Sequence, residues 1–210
     1  MAMTGFICRQ YHQARRLLMK RLIIGMSGAS GLIYGIRLLE ALRDEPSVET
    51  HLVMTASARL NIALETDYEA DAVSAMADYR HSVKDMAASI ASGSFRTDGM
   101  IVAPCSIKTL SAIVNSHADN LLVRAADVVL KEQRRLVLMP RETPLHMGHC
   151  EMLLKATRLG AVVAPPMPAM YIRPRSVEEL IDHSVGRVLD LFDIDPGLAK
   201  RWQGARQGAV

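Results

Sequence analysis

No stretch of this 210-residue chain is apolar for long enough to cross a bilayer: its longest such runs, among them Leu136–Pro140 and Ala161–Ala169, fall far short of the roughly 20 residues that a membrane helix needs. Cysteine is sparse. Cys8, Cys105 and Cys150 form no CxxC pair and cannot all be bridged, which fits a reduced, cytoplasmic setting. Internal repeats and low-complexity tracts are absent. A strong charge of one sign is also missing, although the net charge of +3 suggests one at first sight. Residues 1–20 carry Arg9, Arg15, Arg16 and Lys20 and no acid; without those four, 21 Lys and Arg stand against 22 Asp and Glu. So balanced a body carries no nucleic-acid footprint. The basic leader has no apolar core of signal-peptide length and no small-residue cleavage site. Residues 1–18 are therefore expected to lie outside the fold as a tag or start-site artefact, with 19–210 forming one domain. Half of the chain is hydrophobic, enough to bury one substantial core.

What is present reads as an α/β protein. Five short runs rich in branched apolar residues have strand character: Leu22–Met26, His51–Met54, Met100–Ala103, Leu136–Met139 and Ala161–Ala164. Helical periodicity lies between them. Leu32, Ile36 and Leu39 share one face, widened by Leu38 and Leu42, and further helices are expected near 57–66, 70–79, 83–90, 106–114, 120–132, 148–158 and 176–191. Near-continuously apolar strands alternating with helices imply a parallel sheet covered on both faces, a three-layer αβα sandwich with a Rossmann- or flavodoxin-like sheet.

Ligands of such sheets bind outside the carboxyl ends of the strands. The segments that follow the strands are Ser27-Gly28-Ala29-Ser30-Gly31, Thr55 with Ser57, Pro104-Cys105-Ser106-Ile107-Lys108-Thr109, Arg141-Glu142-Thr143, and the proline loop ending at Tyr171. Hydroxyls, an Arg-Glu pair and a tyrosine collect on one rim, where an anion would be met, although each hydroxyl alone is also an ordinary N-cap residue. The first loop spaces its glycines as G-x-x-G-x-x-G at Gly25, Gly28 and Gly31 and opens a helix, whose free N–H groups suit phosphate. It is neither a Walker A loop nor a nucleophile elbow. A dinucleotide site would want an acid near the end of the second strand; Thr55 stands there, which favours a mononucleotide such as FMN.

Arg124 and Lys131 are seven apart on one predicted helix face. With Arg141 and Arg187 they form a set of cations able to converge on a second phosphate, while Asp127, three residues from Arg124, is an alternative partner for it. Glu142, at a strand end beside Arg141, is the best candidate for proton transfer, and Glu65 is the second. His146, His149 and Cys150 cluster near a helix start, but no further ligand spacing accompanies them, so no metal site is expected.

Taken in order, IGMSGASGLIYG, ETHLVMT, LETD, ASGSF, PCSIKTL, RAADVVLKE, LVLMPRETPLH and PPMPAMY form a specific set, and the chain resembles the UbiX family of flavin prenyltransferases from about Met19 to Trp202. The resemblance implies transfer of a dimethylallyl group from dimethylallyl monophosphate to N5 and C6 of reduced FMN. The prenylated FMN would serve a UbiD-type decarboxylase in ubiquinone synthesis or aromatic-acid metabolism. It also implies a dodecamer with sites where subunits meet. By position, Gly28, Ala29, Ser30, Thr55, Ser106, Ile107, Lys108, Thr109 and Arg141 would hold FMN. Ser92, Arg124, Lys131, Tyr171 and Arg187 would line the prenyl-phosphate region, and Ser30, Glu65 and Glu142 would handle protons. The chain departs from many relatives at Thr55-Ala56, where Ser-Lys is common, and at Met170 and Ile172 around Tyr171. It has no aspartate-rich DDxxD motif for holding magnesium on a diphosphate, which is consistent with a monophosphate neutralised by Arg and Lys without metal. At 4% aromatic content the chain offers few rings to an allyl cation, leaving much of the π-face to the flavin itself. Two other functions compete: a flavin-dependent decarboxylase of cysteinyl substrates, and a flavin-carrying accessory subunit.

Overall fold

The computed structural model describes residues 19–204; the predicted leader, Cys8 and the last six residues lie outside that range. Six strands form one parallel sheet: β1 (Lys20–Met26), β2 (Val48–Met54), β3 (Tyr79–His81), β4 (Gly99–Cys105), β5 (Arg135–Pro140) and β6 (Val162–Val163). Their spatial order is β3-β2-β1-β4-β5-β6, so the chain reverses its direction of travel between β1 and β4. That reversal leaves a crevice at the carboxyl edge, where open α/β sheets take ligands. The helices are α1 (Leu32–Arg43), α2 (Ala56–Glu65), α3 (Ala70–Ala75), α4 (Ile107–Val114), α5 (Leu121–Lys131), α6 (Met147–Arg158) and α7 (Val177–Asp190).

Strand alternation divides the core into two layers. Leu22, Ile24 and Met26 of β1 with Ile101 and Val137 pack against Ile36 and Leu39 of α1 and Val185 and Leu189 of α7. The opposite faces of the same strands, Ile23, Met100 and Leu138, pack against Leu110 of α4 and Leu122, Ala126 and Val129 of α5. The central strands are thus buried on both sides, which is why they read as unbroken apolar runs.

Three expectations differ from the structure. The helix foreseen over 70–79 stops at Ala75, and Tyr79–His81 is instead a sixth, edge strand. Asp78 explains the switch: its Oδ2 accepts hydrogen bonds from the backbone N–H and the hydroxyl of Thr50, both at 2.8 Å, and so draws the chain onto β2. The ring of Tyr79 then stacks on His51, with centroids 4.7 Å apart. The helix foreseen over 83–90 is a series of turns ending in a single 3-10 turn, Ser89–Ala91. Ser82 Oγ accepts from Lys84 N–H and Asp85 Oδ1 from Ala87 N–H, local bonds that compete with helix formation. The predicted strand Ala161–Ala164 is only two residues long, Val162–Val163.

Candidate active site

The carboxyl rim is assembled by helix starts. Thr55 caps α2, its Oγ1 accepting from Ala58 N–H at 3.1 Å. Ser106 caps α4, its Oγ accepting from Thr109 N–H at 3.2 Å and donating to Thr109 Oγ1 at 3.1 Å. Ser27, completely buried, joins the two loops that flank the crevice: its Oγ donates to Pro104 O at 2.9 Å and accepts from Ser106 N–H at 2.8 Å. Nothing in the sequence marked Ser27 apart from its neighbour Ser30, because its role depends on a partner 79 residues away.

Between these loops lies a cleft of about 720 Å³, lined by Gly28, Thr55, Ser57, Ser106, Lys108, Thr109 and the α4–α5 connection. Its size is that of a cofactor pocket. Gly28 has to be glycine, since a Cβ there would stand 2.3 Å from Ser57 Cβ. The start of α1 has no side-chain cap, and Gly31 holds φ at +96°, which favours glycine. The Gly31 N–H is met instead by Glu65 Oε2 at 2.8 Å, so this predicted proton-handling carboxylate sits one residue from Ser30. The sequence brings Gly28, Thr55, Ser106, Lys108 and Thr109 to one cleft; Ala29 and Ser30 follow in the loop that carries Gly28, and Ile107 opens α4.

The cations behave differently. Arg124 donates from Nε to Ala91 O at 3.1 Å and from Nη1 to Asp127 Oδ2 at 2.9 Å, so the pairing with Asp127 is formed. Lys131 is ion-paired with Glu132. Both line α5 beside the Ser92–Ser94 loop, where Ser92 Oγ is 2.9 Å from Ser94 Oγ. Arg134, unremarked in the sequence, anchors this loop from Nη2 to Gly93 O at 2.7 Å and from Nη1 to Phe95 O at 2.9 Å. Because α5 runs back from the rim, Lys131 lies roughly 10 Å farther from it than Arg124. Arg187 sits on α7, in the opposite helical layer, bonded to Asp190 at 2.7 Å. Convergence of all four cations is therefore not achieved within a single chain.

Glu142 is a second correction. Expected to be tuned by burial beside Arg141, it is exposed, as is Arg141, and its Oε1 accepts from Thr143 N–H at 3.0 Å. Tyr171 is half exposed, with its hydroxyl 3.0 Å from His183 Nε2. The rings of His146 and His149 lie tilted against each other, with centroids 3.6 Å apart. Among the described residues, no group of three or more His, Cys, Asp and Glu side chains is placed to hold a metal, and no helix is long and apolar enough to cross a membrane.

Residues 10–190 match the Flavoprotein family. Flavin prenyltransferase UbiX of Escherichia coli is 58% identical over 189 residues, which cover 89% of this chain and all of the relative. The crystal structure of AnUbiX in complex with FMN and dimethylallyl pyrophosphate superimposes with a TM-score of 0.87 at 55% identity, over 90% of this chain and 100% of that one. A dodecameric FMN-dependent UbiX-like decarboxylase from Escherichia coli gives a TM-score of 0.86 at 55% identity, over 88% of this chain and all of its own.

Proposed function

The chain belongs to the UbiX family of flavin prenyltransferases, and we infer that its crevice between β1 and β4 takes reduced FMN and joins a dimethylallyl group to it. The observation that carries this reading is that Ser27 joins the Gly28 loop to the Ser106 loop while the Thr55 N–H donates to Met26 O at 3.0 Å, so that the Thr55 and Ser106 helix starts line one cleft with Gly28. The residues present fit a flavin mononucleotide. Helix N-termini and hydroxyls suit its phosphate, and Gly28 lets the backbone come close. When bound, reduced flavin supplies nucleophilic N5 and C6 positions.

What the chain contributes is binding, charge and proton control. The donor is dimethylallyl monophosphate, whose departing phosphate needs concentrated positive charge. Arg124, Lys131, Arg141 and Arg187 supply it by charge-assisted hydrogen bonds, and Tyr171 and Ser92 add neutral hydroxyl donors. Since Arg187 and Lys131 occupy opposite layers of one chain, the complete phosphate site draws on more than one subunit of a homo-oligomer, a dodecamer in this proposal. Glu65 fixes the start of α1 and, with Ser30, positions a proton near the flavin edge; Glu142, exposed in one chain, reaches its working place at a subunit boundary. The product passes to a UbiD-type decarboxylase.

The test is anaerobic incubation of the protein with reduced FMN and dimethylallyl monophosphate, without added divalent metal, followed by mass analysis of the flavin. Gain of one five-carbon unit is expected. Unchanged flavin would refute the reading.

A further inference from the structure

His183 lies on α7 and is 4% exposed. Its Nε2 is 3.0 Å from the Tyr171 hydroxyl, and its Nδ1 is buried with no hydrogen-bond partner among the described residues. The two rings meet edge to face, with centroids 5.5 Å apart. Arg187 stands four residues on, hence on the same helix face. With His183 it lines a cleft of about 280 Å³ walled by Ala164, Pro165 and Pro166.

A neutral imidazole has one N–H and one bare nitrogen, and the bond made by either nitrogen decides which is which. Buried N–H groups without an acceptor are rarer than buried acceptors without a donor. The unpartnered Nδ1 is accordingly the bare nitrogen, and Nε2 carries the hydrogen. Burial, with the Arg187 charge next, lowers the His183 pKa and so favours the neutral ring, while Asp190 opposes this and Arg201 and Lys200 add to it.

We propose that His183 is a positioning residue for the donor phosphate: its Nε2–H donates to Tyr171 Oη, which leaves the tyrosine's own hydroxyl hydrogen free to donate to an anion. With the opposite tautomer, Tyr171 would spend its hydrogen on the imidazole and present only lone pairs to a phosphate. The proposal rests on the reading that Tyr171 lines the prenyl-phosphate region, and it adds a residue to that site which the sequence motifs did not single out.

The experiment measures kcat and KM for dimethylallyl monophosphate in the full-length protein with reduced FMN, for Tyr171→Phe, His183→Phe, His183→Gln and the double variant Tyr171→Phe/His183→Phe. Loss of one oriented hydrogen bond to an anion raises KM roughly five- to tenfold in both single Phe variants. Gln keeps an N–H donor and restores the parental KM. The double variant is no worse than Tyr171→Phe, because one residue acts through the other. If Tyr171→Phe raises KM and His183→Phe does not, the positioning role is wrong while the site reading stands; if neither does, both are wrong. Independent of any variant's folding, solid-state NMR of protein labelled with ¹⁵N-histidine is expected to report the Nε2–H tautomer at His183. An Nδ1–H tautomer would overturn the proposal.

Discussion

Ser27→Ala removes one oxygen from the centre of the crevice wall. That oxygen donates to Pro104 O at 2.9 Å and accepts from Ser106 N–H at 2.8 Å, and Ser27 is fully buried. Pro104 O keeps a second donor, the Ser27 backbone N–H at 3.2 Å, so its loss is partial. The Ser106 N–H keeps nothing, and an orphaned donor costs about 1–3 kcal/mol. Together with the lost bond to Pro104 the variant should be destabilised by about 2–3 kcal/mol. For a chain of this size that corresponds to a fall in Tm of roughly 5–10 °C. Because the same bond sets the Ser106 loop against the Gly28 loop, FMN binding should weaken about fivefold, the equivalent of about 1 kcal/mol of lost preorganisation. Thermal unfolding of the apoprotein and FMN titration by flavin fluorescence measure the two effects separately. A Tm within about 2 °C of the parent together with an unchanged FMN affinity would refute the reasoning.

Other expectations follow from single contacts. Gly28→Ala drives a Cβ to 2.3 Å from Ser57 Cβ, so FMN affinity should fall at least tenfold, as read by equilibrium dialysis, with helix content by circular dichroism retained. Burial pushes the Cys105 thiol up to about 12, whereas Cys150 is exposed. Brief alkylation near neutral pH followed by peptide mapping should therefore modify Cys150 and spare Cys105; the reverse would contradict the burial. Arg201 bonds both Asp190 oxygens and, with help from Arg187, holds that carboxyl below its ordinary value. This linkage contributes above the unfolded-state pKa and is lost as pH falls through the lower folded value. Trp202, the only tryptophan, packs edge to face on Tyr171 while two-thirds exposed, and its emission should depolarise on acidification or in Asp190→Asn at neutral pH. Emission anisotropy that is the same in Asp190→Asn and the parent would show that the Arg201–Asp190 pair does not tether this segment. Glu142→Gln should slow prenylation while FMN stays bound; turnover at the parental rate would exclude Glu142 from proton transfer.

What the sequence discloses is governed by how local the cause is. The central strands are legible because burial on both faces makes them uniformly apolar, and α1 is legible because Leu32, Ile36 and Leu39 repeat at helical spacing. The cleft residues Gly28, Thr55 and Ser106 are legible because strand ends in a parallel sheet fall on one rim. Tyr79–His81 escapes because its strand depends on Asp78 reaching Thr50 across 28 residues. Ser27, Arg134 and His183 escape for the same reason: each acts through a contact whose partner the sequence does not place nearby. Residue type and spacing pick out Arg124, Lys131 and Arg187 as cations able to converge, but not that the sheet separates them within one chain.

The central claim is that one crevice, closed by Ser27, holds the acceptor flavin while the donor phosphate is met by cations from more than one subunit. Crystals of the assembled protein grown with FMN and dimethylallyl monophosphate test it most directly. The flavin should lie between the Gly28 and Ser106 loops, with its phosphate within hydrogen-bond distance of the cleft hydroxyls. The second phosphate should touch Lys131 or Arg124 of one chain and Tyr171 or Arg187 of another. Flavin density outside that crevice, or a donor phosphate held by one chain alone, would contradict the account.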